Sequence, residues 1–315
     1  MPAPVASNQT ISFLIKRFEE AGIRLKHRHG QNFLIDLNLQ RLLVDSAQLD
    51  RRDVVLEVGT GTGALSTLIA PRVAALVTVE IDPQLFQLAS EELFGFENVV
   101  MLHQDVLRNK NNLHPDVVET VQQQLAQAPD RRLKVVANLP YSVATPVLSN
   151  LLISPIVPHS MTITIQKELA DRIVARPSTK DYGALSIWIQ SQCRTELVRI
   201  LPPTVFWPRP KVTSAIVHLE VQNELRARIG DLAYFQSFVR SMFTHRRKFL
   251  RGVLHSASPE LSKPDVDEIL AQLGLRPDSR AEQLELQTML SLATAVRDKV
   301  GHRLPESDDT KSLRH

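Results

Sequence analysis

The hydrophobic positions in the first half of the chain follow two alternating rhythms. Short β-branched runs, "DVVLEVG" (53–59), "ALVTVEID" (75–82), "NVVMLHQD" (98–105) and "LKVVANLP" (133–140), each end in a polar residue, a glycine or a proline. Between them lie segments with apolar residues three and four apart, such as "ALSTLIAPRV" and "PQLFQLASEELF". The runs predict buried strands, the wider spacing predicts helices, and their alternation predicts a parallel sheet wound by right-handed crossovers. Further strands are predicted at "SMTITI" (160–165), "TELVRILP" (195–202) and "SAIVHLEV" (214–221). The proline-rich "LPPTVFWPRPKV" (201–212) excludes a helix between the last two. Beyond about residue 223 the pattern turns helical, in "YFQSFVRSMFTHRRKFLRGVL", "KPDVDEILAQLGL" and "AEQLELQTMLSLATAV".

The expected organisation is an N-terminal extension (1–23), a Rossmann-like α/β domain (24–220), a smaller C-terminal helical domain (221–300) and a polar tail (301–315) expected to be disordered. The stretch "NKNNLHPDVVETVQQQLAQAPDRR" (109–132) reads as a long polar insertion between strands.

Composition narrows the class. With 315 residues, 43% of them hydrophobic and 23% charged, the chain can build one large or two ordinary globular domains. A single cysteine, Cys193, excludes an internal disulfide and a cysteine-based zinc site, and fits a reducing compartment. No metal is expected. The sequence shows neither a secretory h-region nor an apolar run long enough to cross a bilayer, so a soluble, cytoplasmic protein is expected. The net charge of +3 conceals a local excess. Between residues 226 and 256, seven Lys or Arg face one acid, Asp231, and a second basic cluster, "RLKHRHG", spans 24–30. Such patches either converge on one polyanion or are solvated faces, and charge alone leaves both readings open.

The candidate chemistry sits at consecutive strand ends. In "EVGTGTG" (57–63), Gly59, Gly61 and Gly63 let the backbone turn tightly and a ligand approach without a Cβ in the way. Their spacing differs from the Gly-x-Gly-x-x-Gly that seats a pyrophosphate, which argues against a dinucleotide. Glu80 closes the second strand, where a carboxylate accepts from ribose hydroxyls. Asp105 closes the third, where it would accept from an adenine amino group. Each acid alone is equally readable as an ordinary strand-end carboxylate. Together the three strand ends describe a pocket for an adenosine ligand without pyrophosphate, with S-adenosylmethionine as the candidate.

The fourth strand ends in Asn138-Leu139-Pro140-Tyr141. The exocyclic amine of adenine is a poor nucleophile because its lone pair is delocalised into the ring. Two acceptors, the Asn138 side-chain oxygen and the Leu139 or Pro140 carbonyl, would favour a pyramidal nitrogen and stabilise the positive charge that develops there. Pro140 would fix the turn, and Tyr141 would offer a face on which a flipped base stacks. Alone, the tetrapeptide is also readable as a proline turn with a capping Asn.

Over residues 24–297 the sequence resembles the ribosomal RNA adenine N6,N6-dimethyltransferases of the KsgA type, related to the Erm methyltransferases. The resemblance is carried in order by "HGQNFL" (29–34), "EVGTGTG", "VEID", "QD", "NLPY", "QKELADRIVARPSTKDYGALSI" (166–187), "PPTVFWPRPKVTSAIVHL" (202–219), "FTHRRKFL" (243–250) and "RAEQLELQTMLSL" (280–292). It implies S-adenosylmethionine as cofactor, contacted by Asn32, Leu34, Gly59, Glu80, Asp105 and Asn138. Gln31 and Asn32 are otherwise readable as caps of a helix beginning near Leu37. The resemblance also implies that Phe206 closes over the target adenine opposite Tyr141. The substrate it implies is a pair of adjacent adenosines in the hairpin near the 3′ end of small-subunit ribosomal RNA, in the 30S precursor particle, with RNA lying across the cleft between two domains. A monomer is expected.

Two alternatives remain, an Erm-like enzyme acting on 23S RNA and a non-catalytic assembly factor. The sequence departs from the family pattern at Ser142, in the missing glycine after Pro177, and in the length of 109–132. In "FTHRRKFLRG", Arg247 and Arg251 are four apart and would share one side of a helix, flanked by Arg246 and Lys248, as an RNA footprint. Phe243, Phe249 and Leu250 would hold that helix to its domain.

Overall fold

The computed structural model describes residues 11–20, 22–23, 32–244 and 248–301. These fall into two compact units, with breaks after Val174, Ser191 and Gln222. The first unit opens with α1 (Ile11–Glu20), the two-residue strand β1 (Phe33–Leu34) and α2 (Leu37–Ser46). The seven strands expected from the hydrophobic pattern follow, β2 (Asp53–Val58), β3 (Ala75–Glu80), β4 (Val99–His103), β7 (Arg132–Asn138), β8 (Ser160–Gln166), β9 (Cys193–Leu201) and β11 (Ser214–Val221), with three short strands the pattern does not predict, the hairpin of β5 (Leu107–Asn109) and β6 (Asn112–Leu113) and β10 (Phe206–Trp207). Helices α3 (Ala64–Ile69), α4 (Pro83–Leu93), α5 (Pro115–Leu125), α6 (Ala144–Leu151) and α7 (Lys167–Val174) complete the unit.

The main sheet has the order β4-β3-β2-β7-β8-β11-β9. Its first five strands are parallel, and β11 pairs antiparallel with both β8 and β9. All six residues of β2 and of β3 are buried, as strands covered on both faces must be, which is why they read as continuous apolar runs. Strand order reverses between β2 and β7, and open α/β sheets bind ligands at the carboxyl ends beside such a switch.

Local chemistry sets the helix starts. Asp36 caps α2 by accepting from the backbone N–H of Asn38 and Leu39. Asp82 does the same for α4, where Pro83 occupies the first turn with the φ it needs. Asn32 is therefore not the cap of α2, and Gln31 lies outside the described residues.

Three sequence expectations change. Residues 115–125 of the apparent insertion form α5, the crossover helix between β4 and β7, with Val117 and Val121 fully buried. Apolar positions four apart supplied the helical period there, and the run of Gln and Asn around them hid it. Second, the expected N-terminal extension contains α1, which packs into the α/β unit: Leu14 and Phe18 are 2% and 4% exposed and lie with Leu85 and Leu88 of α4. Third, residues 175–191, including α8 (Ala184–Gln190), group with the helical unit rather than with the α/β unit. That unit continues with α9 (Asn223–Ala227), α10 (Leu232–Thr244), α11 (Leu250–Ala257), α12 (Lys263–Gln272) and α13 (Leu286–Gly301). Tyr182 shows why the segment belongs there: its ring is 2% exposed, its hydroxyl donates to Leu284 O at 2.9 Å, and it meets Phe243 edge-on. The tail from residue 302 onward lies outside the described residues.

Candidate active site

At the carboxyl ends of β2, β3, β4 and β7 a cavity of about 420 Å³ is lined by Val58, Gly59, Glu80, Asp105 and Pro140 among others. A smaller one of about 50 Å³, bounded by Phe33, Leu34, Glu57, Gly61 and Asn138, shares Gly59 with it. The glycine turn joins them. Gly59 has φ +82, and a Cβ there would lie 3.3 Å from the Pro140 ring. Gly61 has φ +58, and its Cβ would meet the Phe33 ring at 3.1 Å. A side chain at either position would strain the backbone and push apart the two motifs that the fold brings together. Gly63 has a different task. It caps α3 with φ +79 and packs on Ala89 and Glu92 of α4, lining neither cavity.

Glu80 organises the turn. Its Oε2 accepts from Gly61 N at 2.8 Å and its Oε1 from Asp82 N at 2.9 Å. Each carboxylate oxygen keeps a second lone pair for a ligand hydroxyl. Burial pushes its pKa up against these donors. Asp105, exposed at the rim, accepts from Leu107 N at 2.9 Å. Beside it the side-chain nitrogen of Gln104 is buried without a hydrogen-bond partner, and Gln104 lines the larger cavity. A buried donor left unpaired is costly, and a ligand acceptor would satisfy it. In the sequence Gln104 is marked only as the neighbour of Asp105, since no pattern along a chain reveals a missing partner. It also passed over Glu57, which is 1% exposed, accepts from Ser66 Oγ and Thr78 Oγ1, and is pushed up to about 8 by burial.

The Asn138-Leu139-Pro140-Tyr141 segment stands beside both cavities. Asn138 Nδ2 donates to Asn32 O at 2.8 Å, which leaves Oδ1 as the amide's unengaged acceptor. Leu139 N donates to Thr164 O at 3.1 Å and the Leu139 side chain is buried, so this residue is anchored in the sheet. The Pro140 carbonyl accepts from Val143 N at 3.1 Å, so of the two candidate carbonyls that of Leu139 is the unengaged one. Tyr141 is half-buried; its hydroxyl lies 2.6 Å from Ser214 Oγ, and burial raises its pKa.

One expected contact differs, that of Phe206. β1 and β10 pair antiparallel with Leu34 opposite Phe206. That register turns both side chains into one core cluster with Leu43, Leu201 and Ile216, where Phe206 is 2% exposed and Leu34 is 6%. Phe206 therefore offers no open face to a base in this arrangement, and Leu34 borders the small cavity from the core side.

In the helical unit the expected continuous basic helix is broken. Phe249 is the N-cap of α11 with extended backbone angles, and it is 55% exposed rather than packed. Arg251 is held by Asp267 through Nε–Oδ1 at 2.5 Å and Nη2–Oδ2 at 2.6 Å, so its guanidinium is already paired. Lys248 is exposed, while Arg246, Arg247 and the 24–30 cluster lie outside the described residues. Among the described residues there is no cluster of metal-ligating side chains, and no helix is long and apolar enough to cross a membrane.

The family model of ribosomal RNA adenine dimethylase matches residues 22–298. The chain is 38% identical over 300 residues to ribosomal RNA small subunit methyltransferase A of Listeria innocua, covering 95% of this chain and 98% of that one. It is 38% identical over 285 residues to the protein of the same name in Geobacillus kaustophilus, covering 90% and 94%. Among solved structures, a dimethyladenosine transferase from Plasmodium falciparum superposes with a TM-score of 0.70 at 20% identity, over 84% of this chain and 97% of that one. The 23S rRNA methyltransferase ErmE superposes with 0.60 at 24% identity, over 84% and 99%. At these identities the structural likenesses show the fold.

Proposed function

The chain belongs to the ribosomal RNA adenine dimethylase family, and from that premise we propose that it dimethylates N6 of two adjacent adenosines in the 3′-terminal hairpin of small-subunit ribosomal RNA during subunit assembly. It is an S-adenosylmethionine-dependent methyltransferase of Rossmann-like fold. The cofactor fits the residues present. The glycine turn leaves room where a Cβ would intrude, and the unpaired Gln104 amide, Asp105 and Glu80 offer the donor and acceptors that an adenosine moiety uses.

One observation carries the catalytic reading: the Asn138 amide is held by its nitrogen on Asn32 O, beside a cavity at the switch point of the sheet. S-adenosylmethionine, when bound, supplies an electrophilic methyl group. In the first transfer Asn138 Oδ1 and the Leu139 carbonyl accept the two N6 hydrogens, direct the lone pair out of the ring plane and stabilise charge as it develops on nitrogen; in the second, one of them accepts the single N6 hydrogen that remains. No strong general base is required, because N6 becomes acidic only once it is alkylated and can then lose its proton to water. The Tyr141 ring, pinned through its hydroxyl to Ser214, supplies a stacking face for an extruded adenine.

The test is labelled methyl transfer at saturating S-adenosylmethionine to naked small-subunit RNA, 30S and 50S particles, with mapping of the modified base. Label is expected on two adjacent adenosines of the 30S hairpin. Label confined to 50S would replace this reading with the Erm-like one. Losing a hydrogen bond to a group that becomes charged costs ~1.5–3 kcal/mol, so Asn138→Ala is expected to slow transfer by roughly 10- to 100-fold with little change in RNA affinity. Near-wild-type turnover would remove Asn138 from the chemistry.

A further inference from the structure

We propose that the N-terminal helix α1 is a positioning element for catalysis, acting through Phe18 on the orientation of the Asn138 amide. This rests on the reading of Asn138 as the acceptor for N6. The helix precedes the residue at which the family model begins, and its buried face packs on α4 and on the β1–β10 ribbon that adjoins the candidate site.

The contacts form a short chain. Phe18 meets Phe33 edge-on at 5.6 Å and Trp207 at 5.5 Å, and Phe33 lies 6.5 Å from Trp207. Phe33 and Trp207 face each other across the β1–β10 ribbon. Two residues per strand make a ribbon with almost no ladder of its own, and isolated two-stranded pairs are marginal even when longer. Its place therefore comes from side-chain packing on two faces: Leu34 and Phe206 are fixed in the core, and on the opposite face Phe18, 4% exposed, is the aromatic ring that touches both Phe33 and Trp207. The ribbon in turn does two things at the site. The Phe33 ring lies against Gly61 in the cofactor turn. The residue before it, Asn32, gives the carbonyl that receives Asn138 Nδ2 at 2.8 Å.

That bond decides which end of the amide is available. A primary amide presents a donor at one end and an acceptor at the other, and an Asn138 rotated about χ2 would offer N6 a donor where it needs an acceptor. Asn32 O holds the nitrogen and so holds Oδ1 available. If Phe18 is lost, the ribbon gains freedom, Asn32 O drifts, and the amide is no longer restricted to the productive orientation. Misplacement of a reacting group by about an ångström costs on the order of 100-fold in rate, and partial loosening is expected to cost about tenfold.

The experiment measures single-turnover methyl transfer to the RNA substrate, with S-adenosylmethionine saturating, for Phe18→Ala, Phe18→Leu, Asn138→Ala and the double variant Phe18→Ala with Asn138→Ala. Phe18→Ala is expected to lower the rate about tenfold with RNA affinity unchanged, Phe18→Leu to recover most of it, and Phe18→Ala to add nothing once Asn138 is already Ala. Circular-dichroism melts confirm that each variant is folded at the assay temperature. A nitrogen-15 spectrum of the full chain gives a second readout, independent of turnover: the Asn138 side-chain NH₂ pair is expected to move toward solvent-exposed shifts in Phe18→Ala. A folded Phe18→Ala with wild-type rate and an unmoved Asn138 signal overturns the inference, as does a tenfold loss that persists in the Asn138→Ala background. Wild-type turnover of Asn138→Ala itself would instead overturn the catalytic reading, so the two failures are distinguishable.

Discussion

Single residues in this chain are held in place by backbone demands that side chains meet at some cost. Ser178 is an example. It sits at φ +67, in the left-handed region, and its N–H donates to Glu282 O at 2.8 Å. The family resemblance implies a glycine after Pro177, and the backbone at Ser178 is the conformation that glycine adopts most readily. An L-residue in this region costs about 1–2 kcal/mol, partly offset because glycine has more freedom to lose on folding. Ser178→Gly is therefore expected to stabilise the protein by ~0.5 kcal/mol, while Ser178→Ala brings no gain, as read by denaturant midpoint at unchanged m-value. A drop in midpoint for the glycine variant would show that the serine side chain contributes more than its strain costs. Gln104 carries the opposite lesson: its buried nitrogen has no hydrogen-bond partner among the described residues, and the residue lines the larger cavity, where an acceptor on a bound ligand would complete the contact.

At the scale of elements, the basic segment around residue 247 tests how far helix periodicity can be trusted. The four-residue spacing of Arg247 and Arg251 would align them only on one uninterrupted helix, but α10 ends at Thr244 and α11 begins at Leu250. Arg251 is committed to Asp267, an exposed pair whose geometry is bidentate. Replacing Arg246, Arg247 and Lys248 together by Gln is expected to weaken RNA binding and to lower the salt slope by roughly one unit per lost phosphate contact. Arg251→Gln is expected to leave the slope unchanged. Binding titrations at several salt concentrations decide both, with melts to confirm folding. A triple variant with the wild-type slope would leave the segment as a solvated face.

For the whole molecule, stability should carry a pH signature written by one buried acid. Glu57 lies beneath the glycine turn, and burial raises its carboxyl from an ordinary value of 4.5 to about 8. Between these values the folded state binds the proton more tightly than the unfolded chain does. Stability is then fully present below the unfolded pKa and falls as pH rises through the window from about 4.5 to about 8. Glu57→Gln cannot ionise and keeps an oxygen for Ser66 and Thr78. Its melting temperature is expected to decline less than that of the wild type between pH 5 and pH 8. Parallel pH profiles for the two proteins would place the carboxyl's proton uptake elsewhere.

The sequence by itself determined the alternation of strands and helices, the seven strands of the main sheet, and the cluster of Gly59, Glu80, Asp105 and Asn138 at their carboxyl ends. Those features follow from hydrophobic period and from residue types that local backbone geometry demands, and both are written along the chain. The tertiary structure alone decided that Phe206 enters the core, that Arg251 is paired, that 175–191 joins the helical unit and that α1 packs beside the site. Each of these depends on what lies opposite in space: the β1–β10 register, an aspartate sixteen residues away on another helix, a tyrosine bonded to Leu284 O, and an aromatic ring against Phe33. Periodicity reports which face of an element is buried and carries no information on what buries it.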